Sequence, residues 1–326
     1  MRNDLVQHVY IFSMNRSGST LLSSILNSHS EINGLPESSF TLNLGIHFNQ
    51  KKYTEHDYQR IVNALWVRMK VFKKVWDLSE SQIIQKLITQ NPQTIQDIII
   101  CIQKSYSTKN ARIIVDKNPI YNHFASLIHH LFPEHKKIIL IRDYRDRYHS
   151  LINGKLNIPF WKMPFLRVSW MIQMKKYLEM KKKDRAILFV KFEDLILDSK
   201  ETVQSICDFL DLPIEEKMLT ARIHGLPDFS NDHTLQSIHE SSRYEFDSTQ
   251  INKAKLLKQS DLKALHFYCN HIGKDFGYQS DITLTWLDKI IITIIHFPTL
   301  LLFRISFAFK KLSYFLPISF QRILVR

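Results

Sequence analysis

His8-Val-Tyr-Ile-Phe-Ser-Met-Asn-Arg16-Ser17-Gly18-Ser19-Thr20-Leu21-Leu-Ser-Ser-Ile-Leu-Asn-Ser28 is the stretch that decides how the chain folds. Its first residues, β-branched and aromatic, predict a strand from about His8. The strand ends in Arg-Ser-Gly-Ser-Thr and runs directly into Leu21, Leu22, Ile25 and Leu26, which share one helical face. A strand, a tight loop and a helix start aim backbone N–H groups and the positive end of the helix dipole at one spot. Arg16 adds a guanidinium that matches oxyanion geometry, and Ser17, Ser19 and Thr20 add hydroxyls. The expected ligand carries phosphate or sulfate. An ATP loop would need Gly-x-x-x-x-Gly-Lys-Ser/Thr, and neither the lysine nor the second glycine is there. A nucleotide kinase is therefore a lesser alternative. The plain alternative for the loop is an ordinary N-capped helix.

The same alternation continues along the chain. Arg112–Val115, Lys137–Arg142 and Ala186–Phe192 read as strands, with helices at about 119–132, 143–153, 164–183 and 199–210. Residues 55–105 are mostly helical and interrupted by Pro92, whereas 29–39 read as a polar connection. This order predicts an α/β class protein, a central parallel β-sheet flanked by helices. Ligands bind such sheets at the carboxyl ends of the strands. The loops at 13–20, 116–119 and 142–150 all follow strands and are expected on one edge. Residues 213–260 have little periodicity and are expected to form loops over the site.

At 326 residues the chain can bury a large core. Forty-four Lys and Arg against 31 Asp and Glu leave +13, which favours anionic partners, although a basic surface also serves solubility. Cys101, Cys207 and Cys269 are too scattered for a disulfide framework or a zinc site, and no metal is expected. With no leader read ahead of the first strand, the expected location is cytoplasmic and reducing. Composition changes near residue 281, dividing a main domain at 1–280 from a basic, hydrophobic helical extension at 281–326. Ile290–Phe303 carries no formal charge but is short for a bilayer span and contains Pro298. Residues 284–326 suit amphipathic helices on an anionic membrane surface, with packing on the core or a homodimer as alternatives. Nucleic acid is not an expected partner of an active enzyme; a basic membrane-surface or nucleic-acid-binding protein on an inactive scaffold is the alternative from another class.

A second anion-binding element lies at Ile138–Ser150. A strand delivers Arg142 at its end, and Ser150 follows on the next helix, so both could reach one phosphate. Arg145 and Arg147 read instead as a salt-laced helix face with Asp143 and Asp146.

Together these motifs resemble the sulfotransferases that use 3′-phosphoadenosine-5′-phosphosulfate (PAPS). Arg16-Ser-Gly-Ser-Thr20 resembles the family's 5′-phosphosulfate loop, and Arg142 with Ser150 its 3′-phosphate pair. Val190-Lys-Phe-Glu-Asp-Leu, Asp208-Phe-Leu-Asp-Leu-Pro213 and Gly277-Tyr278 resemble further landmarks, so the match spans roughly 8–278. The resemblance implies a P-loop-like fold and adenosine 3′,5′-bisphosphate as product. It assigns the donor to Arg16, Ser17, Gly18, Ser19, Thr20, Leu21, Arg142 and Ser150, with Arg243 as a late contact.

Within the family the chain is most similar to the tyrosylprotein and carbohydrate branch. Gly34-Leu-Pro-Glu37 then makes Glu37 the candidate general base, with Glu31 the fallback, and Asp116-Lys117-Asn118-Pro119 makes Lys117 the cation facing the leaving oxygen beside Arg16. His123 is an alternative site for a catalytic histidine. Two features depart from the family: Phe192 stands where a tyrosine is common, and Lys155 is only near a further basic position. The acceptor is a hydroxyl of a peptide tyrosine, a glycan or a lipid.

Overall fold

The computed structural model describes residues 6–48, 50, 52–65, 78–106, 111–154, 158–220 and 248–324. Five short segments rich in Ile and Val form its sheet: β1 (Gln7–Ser13), β2 (Ile32–Gly34), β3 (Ile113–Lys117), β4 (Lys136–Ile141) and β5 (Ile187–Lys191). All pair in parallel, in the order β2-β3-β1-β4-β5. The helices in chain order begin with α1 (Ser19–Asn27), α2 (Phe40–His47), α3 (Glu55–Leu65), α4 (Glu80–Gln90) and α5 (Ile95–Tyr106). They continue with α6 (Ala125–Leu131), α7 (Tyr144–Ile152), α8 (Met163–Lys183), α9 (Phe192–Leu197) and α10 (Ser199–Leu210). The chain closes with α11 (Glu216–Leu219), α12 (Gln259–Gly273), α13 (Trp286–Leu312) and α14 (Ile318–Leu324).

Alternate residues of the strands enter two cores, because side chains of a strand alternate between the faces of its sheet. Val9, Ile11, Val115, Ile138 and Leu140 pack with Leu22 and Ile25 of α1 and Val203 and Ile206 of α10. Tyr10, Phe12, Ile114, Ile139 and Ile141 pack on the opposite side with Trp170 and Tyr177 of α8 and residues of α2 to α5. Both faces are covered, as a parallel sheet requires. The α/β architecture expected from the sequence is present.

Two local expectations differ. Residues 29–39 contain β2, whose three residues are buried and pair Ile32, Asn33 and Gly34 with Ile113, Ile114 and Val115. Asn and Gly in so short a strand resemble turn chemistry, so pairing with β3 decides the conformation. At the other edge, β5 ends at Lys191, and Phe192 opens α9 rather than closing the strand.

The tail packs one side on the core. Ile292 and His296 of α13 are buried, and so is Tyr314, whose carbonyl bonds to His47 Nε2 at 2.9 Å. A capping box starts α13: Thr285 Oγ1 accepts from Asp288 N at 3.1 Å while Asp288 accepts from Thr285 N at 3.0 Å. No helix among the described residues is long and apolar enough to cross a membrane.

β1 pairs with β3 on one side and β4 on the other, so the direction of strand addition reverses there and leaves a crevice beyond its carboxyl end. Just beneath, Asp116 is fully buried and accepts from Tyr121 Oη at 2.7 Å and Thr41 Oγ1 at 3.1 Å. Burial pushes its carboxyl up to about 7 despite those bonds. Between about pH 4 and 7 the folded chain then holds a proton that the unfolded chain has released, so this group's contribution to stability falls as pH rises. In urea unfolding, the stability of the wild type relative to Asp116→Asn should decline across that window; a difference independent of pH would show that Asp116 does not titrate there.

Candidate active site

The loop after β1 is shaped by two left-handed residues. Arg16 has φ 68° and Gly18, the N-cap of α1, has φ 88°. Ser17 N donates to Met14 O at 3.2 Å and tightens the turn. The first helical bond runs from Leu22 N to Gly18 O at 3.1 Å, so the amides of Ser19, Thr20 and Leu21 precede the helical ladder. Gly18 occupies the N-cap of α1 without a side-chain cap. A β-carbon on Gly18 would overlap the ring of Phe192. Phe192, the departure noted above, thus packs beneath the loop, and its ring also lies 4.5 Å from the Arg142 guanidinium.

Arg142, at the end of β4, is buried. Nη1 donates to Arg16 O at 2.9 Å and Nη2 to Gln250 O, while Nε has no partner among the described residues. Its other contact is the Phe192 ring, so among the described residues it forms no ion pair. Burial lowers the pKa of both Arg142 and Arg16. Arg16 Nε donates to Ser150 Oγ at 3.0 Å, which joins the loop to α7. An orphaned N–H on a desolvated cation, beside helix-start amides that lie outside the helical ladder, fits a bound anion.

Below these groups Glu193 acts as a clasp. It accepts from Asp143 N at 2.9 Å and from Tyr278 Oη at 2.6 Å, tying the end of β4 to the Gly277-Tyr278 turn, where Gly277 has φ 78°. Arg145 pairs with Asp143 as expected. Arg147 does not pair with Asp146: it is buried, donates to Asn15 O at 3.1 Å and Ser169 Oγ at 3.2 Å, and burial takes its pKa to about 10. Asp146 instead accepts from Asn252 N and Lys253 N at 2.8 and 2.7 Å, pinning that loop to α7.

At the other end of the crevice, Glu37 follows β2 and Lys117 ends β3. Gly34 lies level with Val115, and Leu35 N donates to Val115 O at 2.9 Å, so the two side chains emerge together. Lys117 Nζ meets Glu37 Oε2 at 2.7 Å, with the lysine buried and the carboxylate 31% exposed. Asn118 Nδ2 to Ser38 O at 2.7 Å locks the two segments. Glu31, the fallback base, lies at the opposite edge, before β2, paired with Arg112. The register that places Glu37 in the site removes Glu31 from it.

Glu37 borders a cavity of about 850 Å³ whose wall includes Asn15, His123, Arg147, Lys176, Lys310 and Lys311. Glu37 is the acidic residue in a lining otherwise charged by arginine and lysine. Burial, then Lys176, Lys310 and Lys311, pushes the His123 pKa down to about 3, leaving a neutral imidazole at pH 7. Arg147, Lys176, Lys310, Lys311 and Gln250 were not anticipated from sequence. Arg147 precedes Ser150 by three residues, hence on the same helical face, and that spacing was the available signal. Nothing local in sequence connects Lys310 and Lys311 to Glu37. Arg243 and Lys155 lie outside the described residues. Among the described residues no group of three His, Cys, Asp or Glu side chains is placed to hold a metal ion.

Residues 8–216 match the model of the sulfotransferase family, and the chain belongs to that family. Among curated relatives it is similar to protein-tyrosine sulfotransferase A of Caenorhabditis elegans, 23% identical over 239 residues, or 72% of this chain and 56% of the relative. A putative protein-tyrosine sulfotransferase of Caenorhabditis briggsae is 25% identical over 67% of this chain and 70% of the relative. The chain spans about half the length of the first of these. The sulfotransferase domain from the Synechococcus PCC 7002 olefin synthase shares the fold with a TM-score of 0.57 at 20% identity, covering 84% of this chain and 96% of the domain. The sulfotransferase domain from the curacin biosynthetic pathway does so at 0.54 and 20%, covering 85% and 99%.

Gly18→Ala tests the loop geometry. A left-handed alanine costs about 1–2 kcal/mol, and its methyl group must also displace Phe192. The variant should unfold at lower urea and bind adenosine 3′,5′-bisphosphate more weakly; wild-type values for both would contradict this account of the loop.

Proposed function

We propose that the chain transfers the sulfuryl group of PAPS to an acceptor hydroxyl and releases adenosine 3′,5′-bisphosphate. The observation that supports this most is the order of groups along the carboxyl edge of the sheet. Glu37 follows β2, Lys117 ends β3, the Arg16–Thr20 loop follows β1, and Arg142 follows β4. Acceptor, transferring group and doubly phosphorylated nucleotide would lie along that line. The amides from Gly18 to Leu21 and the Ser17, Ser19 and Thr20 hydroxyls would hold the 5′-phosphosulfate. Arg142 and Ser150 would take the 3′-phosphate, with the unpartnered Arg142 Nε as one donor.

In the reaction the acceptor oxygen attacks sulfur as the bond from sulfur to the bridging phosphate oxygen breaks. The acceptor proton passes to Glu37, and the electron pair leaves with the 5′-phosphate. Arg16 and Lys117 would stabilise the charge that develops on the sulfuryl and leaving oxygens. The Glu37–Lys117 ion pair serves this scheme, because a donor that draws Lys117 away leaves Glu37 free to accept the proton. The acceptor we favour is a peptide tyrosine with acidic neighbours. It accords with the relatives, which are named protein-tyrosine sulfotransferases, and with the cationic lining around Glu37. The buried, free thiols of Cys101, Cys207 and Cys269 accord with a cytoplasmic, reducing setting.

Calorimetry tests the donor assignment. Adenosine 3′,5′-bisphosphate should bind at least about tenfold tighter than 5′-AMP, and Arg142→Ala should erase the difference. Equal affinities in the wild type would overturn the assignment. Glu37→Gln should retain affinity for adenosine 3′,5′-bisphosphate while turnover with labelled PAPS and an acidic tyrosyl peptide falls by about 10²–10⁴. Unchanged turnover would assign proton transfer to another group.

A further inference from the structure

Helix α13 presents two unlike sides. Inward, Ile292 and His296 are buried and Asp288 pairs with Lys263 of α12 at 2.7 Å. Outward, Trp286, Ile291, Ile294, Leu301, Ile305 and Phe309 are each between 49% and 68% exposed, and Phe315 and Phe320 extend the apolar surface beyond the helix end. At the pitch of an α-helix the exposed apolar residues of α13 sweep about half its circumference. A two-helix seam uses about two positions in seven, so this face is wider than a paired helix would cover. It is the breadth suited to a planar apolar medium. A monomeric soluble protein rarely leaves so continuous an apolar surface uncovered.

Charge selects the medium. The sole acidic residue of α13 is Asp288, which faces Lys263, whereas the helix carries Lys289, Arg304, Lys310 and Lys311 on a chain of net charge +13. An exposed apolar face on a helix with this excess of basic residues suits an anionic bilayer, with the helix lying in the plane of the interface. Trp286 stands at one end of the face, a side chain favoured at that depth.

We propose that α13 docks the protein on an anionic membrane surface, its outer apolar face buried at the boundary between headgroups and acyl chains. The last turns of the same helix also wall the cavity beside Glu37, through Ala308, Lys310 and Lys311. Docking therefore brings the cavity close to the headgroup layer, so that an acceptor held at the membrane surface reaches Glu37 along α13. That consequence rests on the proposed reaction; the docking itself does not.

The full chain should float with vesicles of phosphatidylcholine and phosphatidylglycerol, bind phosphatidylcholine vesicles weakly, and lose binding as salt is raised. The Ile294→Glu, Leu301→Glu double variant should partition at least about tenfold less, with its urea-unfolding midpoint as the check on folding. A readout independent of that variant is the fluorescence of Trp286, isolated by comparison with Trp286→Phe, which should shift to the blue when the mixed vesicles are added. Absence of both flotation and the shift would overturn the proposal. So would a wild-type dimer that the double variant dissociates without any vesicle binding, which would assign the face to a second copy of the chain. Flotation needs no donor and calorimetry needs no vesicle, so failure of the docking and failure of the proposed reaction are separately visible.

Discussion

Parallel pairing on both sides of β1 is the constraint from which the site follows. Its register sets Ile11 beside Lys117 and Ser13 beside Leu140, which levels the carboxyl ends of β3, β1 and β4. Three loops distant in sequence then open into one crevice. The pairing is secured by the two cores that grip alternate residues of each strand, so slipping one strand by one residue would exchange its buried faces as well as misplace its loop. Catalytic geometry and core packing are thus specified by the same register.

The electrostatics of the crevice differ between its two ends. At the β4 end, the Arg142 guanidinium is held by carbonyls and an aromatic ring and forms no ion pair among the described residues, while Asp146, Glu193 and Asp143 act on it at longer range. Its burial penalises the charged form, and an arriving anion removes that penalty. At the β2 end, Lys117 is buried against Glu37, so each charge has its partner. In the proposed reaction, proton transfer to Glu37 would be coupled to movement of Lys117 toward a new negative charge. A cleft built this way holds cations at both ends and keeps Glu37 paired with Lys117.

Much of this was legible from sequence. Arg16, Gly18, Lys117 and Arg142 all stand at strand ends, where a local pattern suffices to place them on the carboxyl edge. Glu37 was legible only through resemblance, because the strand before it is three residues long and is stabilised by pairing with β3 rather than by its own propensity. Arg147 was misread because charges at helical spacing look alike on a solvated face and at a buried boundary; burial separated the two. Phe192 looked like the loss of a hydroxyl. Its position under Gly18 and beside Arg142 gives it a packing role that no residue-type comparison carries.

The sequence by itself determined the parallel α/β architecture, the anion loop and the basic, apolar tail, since each is written in neighbouring residues at the periods of strand and helix. Tertiary structure alone decided which acid reaches the crevice, because Glu31 and Glu37 are six residues apart yet β2 carries them to opposite edges of the sheet. It also decided how the tail lies on the core. Packing Ile292 and His296 inward leaves the apolar stripe of α13 facing out and brings Lys310 and Lys311 to the cavity that Glu37 borders, so residues more than 270 positions apart line one cavity, which no local pattern encodes.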